Sequence, residues 1–340
     1  MTPHHPATDH TVVTAGDTAR HCATIGASTD PLLGHAIAVD APVILTNVSS
    51  VSVPTCSVKP VTALQKPAQP LHHKQHPHHQ SVVTVGKAHF GASETVLVAG
   101  PCAAESEAQL LAVAKHLKSL GVKCLRAGAF KPRTSPYAFQ GMGAEGVELL
   151  GRIGREFDLA IISEVMAVEQ IALMEPHVDC LQVGSRNMQN FDLLKALGKT
   201  TRPVLLKRGL AATIDEFLNA AEYIMAHGNP NVILCERGIR SFDAATRNVL
   251  DIAAVPLLQS RTHLPVVVDP SHATGVRHLV IPAARAAMAV GAHGIMVEAH
   301  PMPEKSVSDA DQALSFDDLT QLVGELAHLA VAMQQIQNTH

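Results

Sequence analysis

The stretch TVLVAGPCAAESEAQLLAVAKHLKSLGVKCLRAGAF (95–130) decides the fold. It opens on a short β-branched run, TVLVAGP (95–101), passes through the amphipathic pattern EAQLLAVAKHLKSL (107–120), and returns to a second apolar run, CLRAGAF (124–130). A strand-like run, a helical period and another strand-like run make one βα unit. The unit repeats. AIISEV (160–165), CLQVGS (180–185), PVLLKR (203–208), VILCER (232–237), PVVVDPS (265–271) and GIMVEAH (294–300) follow, with helical patterns such as TIDEFLNAAEYIMAHG (213–228) between them. Near-continuous apolar runs imply strands covered on both faces, hence a parallel sheet. Eight repeats in about 250 residues favour a closed (β/α)8 TIM barrel over an open, doubly wound sheet. No GxGxxG turn follows the first run, which also counts against a dinucleotide fold.

The barrel pattern occupies residues 81–338 of the 340, and residues 1–80 differ in character. Ten of the 21 histidines lie in that extension, which is rich in Thr, Ser, Pro and Ala and ends in LHHKQHPHHQ (71–80). Such low complexity buries too little apolar surface to offset chain entropy, so the extension is expected to be a disordered linker. AIAVDAPVILTNVSSVSV (36–53) has the content of a short hairpin, and the His tract that of a metal-binding segment. A net charge of -4 gives no indication of nucleic acid or a membrane surface as partner. No apolar run reaches the roughly 18–20 residues of a membrane span. The opening MTPHHPATDH lacks the basic and apolar regions of a secretory signal. Six scattered cysteines without a CxxC pair read as reduced thiols, so a cytoplasmic protein is expected.

Barrels of this kind carry their chemistry at the C-terminal ends of their strands. The eight runs end on Cys102, on Arg126 to Ser135, on Glu164, on Ser185-Arg186, on Lys207-Arg208, on Glu236-Arg237, on Asp269 to His272, and on Glu298 and His300 with Asp309 beyond. Arg126, Lys131, Arg133, Arg186, Lys207 and Arg237 would crowd one mouth, a ring suited to phosphate and carboxylate oxygens. Structural ion pairs with Glu164, Glu236 and Asp269 are the plainer alternative for any one of them. Cys102, His272, Glu298 and Asp309 come from strand ends that adjoin in a closed barrel. Mixed S, N and O donors suit one divalent Mn, Fe, Co or Zn ion. Taken singly, Cys102 reads as an inert buried thiol and His272 as a satisfied barrel-end histidine.

The same residues carry a resemblance. AGPCAAES (99–106), LRAGAFKPRTSPYAFQG (125–141), QVGSRNMQN (182–190), LLKRG (205–209), ILCERGIRSF (233–242), VVDPSHATG (267–275) and HPMPEKSVSDADQAL (300–314) resemble the 3-deoxy-D-arabino-heptulosonate 7-phosphate synthases. The likeness is to the short barrel type related to the 3-deoxy-manno-octulosonate 8-phosphate synthases, and it covers roughly 81–330. It implies condensation of phosphoenolpyruvate with erythrose 4-phosphate and water, the first step of the shikimate pathway. It implies metal ligation by Cys102, His272, Glu298 and Asp309, and catalytic roles for Lys131, Glu164 and His272. Phosphoenolpyruvate would fall to Arg126, Lys131, Ser185, Arg186, Lys207 and Arg237. Erythrose 4-phosphate would fall to Arg133, Thr134, Ser135 and Asp269. By the same analogy the chain is expected to form a homo-oligomer, a tetramer or dimer. An octulosonate synthase acting on arabinose 5-phosphate is the rival enzyme, and the KPRTS loop (131–135) favours the heptulosonate reaction.

Overall fold

In the computed structural model, residues 64–132 and 135–337 are described. The stretch 36–53, Cys22, Cys56, Arg133 and Thr134 lie outside the described residues. Two short strands come first, β1 (Val83–Val85) and β2 (Ala88–Phe90), paired antiparallel. Eight parallel strands follow: β3 (Val96–Gly100), β4 (Cys124–Arg126), β5 (Ala160–Val165), β6 (Cys180–Val183), β7 (Val204–Lys207), β8 (Val232–Glu236), β9 (Val266–Val268) and β10 (Gly294–Glu298). They close into the expected barrel in sequence order, with β10 pairing β3 so that Glu298 lies beside Gly100.

The helices covering it are α1 (Glu107–Ser119), α2 (Gly143–Phe157), α3 (Ile171–Met174), α4 (Phe191–Leu197), α5 (Ile214–Ala226), α6 (Ala254–Arg261), α7 (Pro270–Thr274), α8 (Arg277–Ala289) and α9 (Phe316–Gln337). Local sequence sets their starts. Ser106 caps α1 by accepting from the Gln109 N–H. Thr213 and Glu216 form a reciprocal capping box on α5, satisfying two N–H groups that a helix otherwise leaves unpaired. Several apolar runs overshoot the strands at their C-terminal ends. CLRAGAF continues four residues past β4, and Pro270-Ser271 belong to α7.

The hairpin β1–β2 alternates inward and outward. Val83, Val85, Ala88 and Phe90 are buried while Thr84 and His89 are exposed. Its inner face joins Val96, Cys124, Ala160, Cys180 and Val267, residues at or near the N-terminal starts of barrel strands, in one cluster. The hairpin therefore stops the lower end of the barrel. Phe90, fully buried, contributes on the order of 2–3 kcal/mol by leaving water.

The expectation of a solvated linker up to residue 80 fails for its last ten residues. Leu71–Gln80 is docked as a strap beneath the barrel. Both the Leu71 and His72 N–H groups donate to the Glu222 carboxylate on α5, at 2.8 and 3.1 Å. The Thr262 hydroxyl donates to the His72 carbonyl at 2.6 Å, and the His263 ring bonds Leu71 O and Ser81 Oγ. Composition hid this, because the strap is held through its backbone and through imidazoles rather than by apolar burial.

His293, just before β10, is half-buried with its Nδ1 accepting the Val266 N–H at 3.0 Å, a bond only the neutral ring makes. Burial pulls its pKa from 6.5 down to about 4, with Lys74 adding to the effect. The unfolded chain thus binds a proton there that the folded chain refuses. Stability from this group is complete above pH 6.5 and is lost as pH falls to about 4, a total on the order of 3 kcal/mol. Denaturant unfolding across that window is expected to show a shallower pH slope for His293→Asn than for the unsubstituted chain. An unaltered slope would assign the acid sensitivity to another group.

Candidate metal and anion site at the barrel mouth

The upper end of the barrel holds the predicted residues. Cys102 follows β3, Glu298 ends β10, His272 lies on α7, and Asp309 lies in the loop between β10 and α9. One donor atom from each of the four lies within 4.8 Å of all the others. Cys102 Sγ is 3.1 Å from Asp309 Oδ2, and His272 Nε2 is 3.2 Å from Glu298 Oε1. Two carboxylates and a thiol brought this close repel one another once ionised, and a divalent cation removes that repulsion. The donor set therefore fits a transition ion. Among the described residues no other group of three or more such side chains meets the same spacing.

Local sequence explains the placement of His272. Asp269 caps α7 by accepting the His272 N–H at 2.9 Å, with Pro270 at the first helical position. The Asp269 Oδ2 atom also meets His272 Nδ1 at 2.7 Å. That contact directs Nε2 toward Glu298, as a carboxylate behind a metal-ligating histidine does.

Every other ligand is likewise held by a neighbour. Gln312 Nε2 donates to Glu298 Oε2 at 2.5 Å, and Arg126 donates to Glu298 Oε1 at 2.8 Å. Lys131 Nζ and Ser308 Oγ lie 2.9 and 3.1 Å from Cys102 Sγ. Arg247 donates to Asp309 Oδ1 at 3.0 Å. Sequence reasoning missed Gln312, Ser308 and Arg247, which lie on loops where no periodicity marks them. Their nearness to Asp309 in the 300–314 motif, or to Arg237 on the same connection, was the one available signal.

Electrostatics set the protonation states. Burial pushes the Cys102 thiol up to about 12, and the Glu298 carboxylate adds to this against Lys131. Burial would raise Glu298 too, but His272 and Arg126 outweigh it and hold the carboxyl below its ordinary value. Asp309 is shifted down in the same way, with His272, the Cys102 thiol and Arg247 overcoming burial.

A cavity of about 460 Å³ opens beside these ligands, lined by Arg126, Lys131, Ser185, Arg186, Lys207 and Arg237 together with Glu164, His272 and Asp309. Five of the six expected cations line it, Arg133 lying outside the described residues, and Arg240 and Arg247 extend the ring. Ion pairing accounts for part of the ring. Lys207 meets Asp269 at 2.5 Å and Arg126 meets Glu298. Arg208, next to Lys207, points away to Glu236 and Asp251. Among the described residues, the Arg186 and Arg240 side chains have no acidic partner. The Arg126 Nε–H is buried and without an acceptor.

Two expected aldose contacts look different in the structure. Ser135 is exposed and does not line the cavity. Asp269 is fully buried, with its oxygens committed to Lys207 and His272, so it orients those groups rather than facing a ligand. Glu164 reaches the cavity across Gly184. A Cβ on Gly184 would stand 2.0 Å from Glu164 Oε1, so only glycine leaves the carboxylate in place.

An ion held by this cluster would displace the proton of the Cys102 thiol. Titrating the metal-free chain with Mn²⁺ or Zn²⁺ near neutral pH is expected to release one more proton per site than titrating Cys102→Ser. Calorimetry in two buffers of different ionisation enthalpy reads the difference. Equal release by the two chains would remove Cys102 from the ligand set.

The comparisons with known proteins agree with the barrel fold. The chain is 47% identical over 276 residues to phospho-2-dehydro-3-deoxyheptonate aldolase of Thermotoga maritima, an alignment covering 81% of each protein. It is 32% identical over 269 residues to 2-dehydro-3-deoxyphosphooctonate aldolase of Granulibacter bethesdensis, covering 74% of this chain and 94% of that one. A crystal structure of the Thermotoga maritima aldolase (DAHP synthase) superposes with a TM-score of 0.76 at 46% identity, over 79% of each chain. A truncated form of 3-deoxy-D-arabino-heptulosonate 7-phosphate synthase from that organism matches with a TM-score of 0.72 at 44% identity, over 77% of this chain and 97% of that one. The sequence model of the DAHP synthetase I family matches residues 56–335, and the chain belongs to that family.

Proposed function

We infer that this chain is a 3-deoxy-7-phosphoheptulonate synthase, a transferase that joins phosphoenolpyruvate to erythrose 4-phosphate and water, releasing phosphate. The observation that carries the reading is the convergence of Cys102, His272, Glu298 and Asp309 beside a cavity ringed with cations, in a chain of this family. No helix among the described residues is long and apolar enough to cross a membrane. The reading keeps the cytoplasm as compartment and a homo-oligomer, tetramer or dimer, as assembly.

A divalent Mn, Fe, Co or Zn ion held by the four ligands would supply Lewis acidity at the aldehyde carbonyl. The chain's own residues do the rest. Ser185, Arg186, Lys207 and Arg237 hold the phosphate of phosphoenolpyruvate, and Arg126 and Lys131 hold its carboxylate. The unpartnered Nε–H of Arg126 supports that role, because a buried donor without an acceptor costs about 1–3 kcal/mol until a ligand oxygen satisfies it. Holding both ends of the molecule removes the orientational entropy of a two-substrate reaction. C3 of phosphoenolpyruvate then attacks the aldehyde carbon. Lys131 lies beside Cys102 and lines the cavity, so it is placed to give a proton to the nascent alkoxide. Glu164 positions the water that adds at C2 before phosphate departs. Arg133 and Thr134, which follow the cavity-lining Lys131 and Pro132 in sequence, receive the phosphate of the aldose, and the exposed Ser135 would have to turn inward to join them. Asp269 acts through His272 and Lys207 instead of touching the sugar.

Release of phosphate from phosphoenolpyruvate, followed separately with erythrose 4-phosphate and with arabinose 5-phosphate, tests the activity. Turnover is expected with erythrose 4-phosphate, to vanish with chelator and to return on adding Mn²⁺. Preference for arabinose 5-phosphate would make the chain an octulosonate synthase, and indifference to chelator would sink the metal. For Glu164, Gly184→Ala is expected to lower kcat by about 10²-fold or more with metal content intact, since it displaces the carboxylate. A kcat within threefold of the parent would end that assignment.

A further inference from the structure

We infer that Arg247 is a positioning residue that presents Asp309 to the metal through a single oxygen and ties it to the helix that carries His272. The inference rests on the reading of Cys102, His272, Glu298 and Asp309 as metal ligands.

Asp309 is the ligand that most needs holding. Its side chain is 22% exposed, against 1% for Glu298, and it sits on a loop rather than on a strand. Its backbone has φ +55, one of two positive values among the described non-glycine residues. A carboxylate there is free to rotate and to offer either oxygen, or both, or to turn to water. Arg247 removes that freedom. Its Nη2 donates to Oδ1 at 3.0 Å, which leaves Oδ2 directed at the Cys102 sulfur, 3.1 Å away. A charge-assisted bond to one oxygen makes the other the ligand.

Arg247 is itself fixed from the other side. Its backbone N–H donates to Thr274 O, and the Asn248 N–H donates to Ala273 O, both at 2.9 Å. The Asn248 side-chain amide donates to His272 O at 3.2 Å. The pair 247–248 is thus stitched along α7, whose own capping by Asp269 orients His272. Gly275 is what makes room for it. At φ +70, a Cβ on residue 275 would meet Arg247 Cβ at 2.7 Å and Nε at 3.1 Å. Through this seat, Asp309 inherits its position from the same helix as His272, although 37 residues separate them. The competing role, a direct grip on the aldose phosphate, follows from the place of Arg247 in the cavity wall. The bond to Asp309 argues against it, because a guanidinium already spent on a carboxylate is a poorer phosphate ligand.

The test measures ion binding as well as turnover. The full-length parent, Arg247→Met, Arg247→Lys and Gly275→Ala would be stripped of metal and titrated with Mn²⁺ against a chromophoric chelator. Co²⁺-loaded samples give the visible ligand-field bands. Arg247→Met is expected to weaken ion binding 10- to 100-fold, in the range of lost outer partners of metal ligands, and to shift the Co²⁺ bands. The KM of each substrate at saturating metal is expected to stay within about twofold. Arg247→Lys, which keeps a cationic donor, regains most of the affinity, and Gly275→Ala shifts it in the same direction as Arg247→Met. Ion affinity unchanged in Arg247→Met overturns the inference, and a tenfold rise in the aldose KM beside it would assign Arg247 to substrate instead. A parent chain that takes up no ion refutes the metal reading itself, a result separate from both.

Discussion

A single buried carboxylate, Asp269, joins the two halves of this site. It lies at the end of β9, wholly out of water, and its charge persists because His272 and Lys207 together outweigh the burial that would protonate it. His272 belongs to the metal cluster and Lys207 to the anion ring. One acid therefore fixes a side chain of the candidate metal cluster and a cation of the cavity wall at once. Breaking a buried pair of this kind costs about 3–5 kcal/mol, since the remaining charge is stranded. The arrangement tolerates that liability because β7, β8 and β9 bring the groups together as neighbours in a closed sheet. Glu298 performs the matching task on the other side, where Arg126 and His272 share one of its oxygens and Gln312 holds the second.

Much of this is legible in the sequence alone. The eight apolar runs, the helices between them and the polar residues at one end of each run are all local patterns, and local patterns survive in a linear reading. All four metal candidates and the five central cations fell where the barrel rule put them. What escaped was of two kinds. The partners of the ligands, Arg247, Gln312 and Ser308, are ordinary polar loop residues whose significance is purely spatial. Asp269 showed the same difficulty in reverse. The resemblance implied contact with substrate, whereas its burial and its oxygens, occupied by Lys207 and His272, support a place behind those groups. The strap at Leu71–Gln80 escaped because composition reports apolar burial, and this segment is held by Glu222, Thr262 and His263 through hydrogen bonds.

The cysteines show how position separates chemistry from packing. Cys124, Cys180 and Cys235 lie on alternate barrel strands and are fully buried among apolar neighbours. Burial raises the pKa of each, and none belongs to a group of three or more metal-ligating side chains among the described residues. Cys102 is as deeply buried, and its thiol is raised for the same reason, yet Lys131, His272 and two carboxylates surround it. The difference lies in company rather than exposure: three thiols are filler, while the fourth has partners that make its ionisation worthwhile once a cation is present.

The hairpin that stops the lower end of the barrel has a further consequence for traffic. With Phe90 and its neighbours packed into that end, the cation-lined cavity lies at the opposite, upper end of the barrel. Of the cations that the proposed function gives to phosphoenolpyruvate, Arg126, Lys131, Lys207 and Arg237 are buried, whereas Arg186 is exposed. On the proposed reading, both substrates would therefore arrive and leave through that upper end.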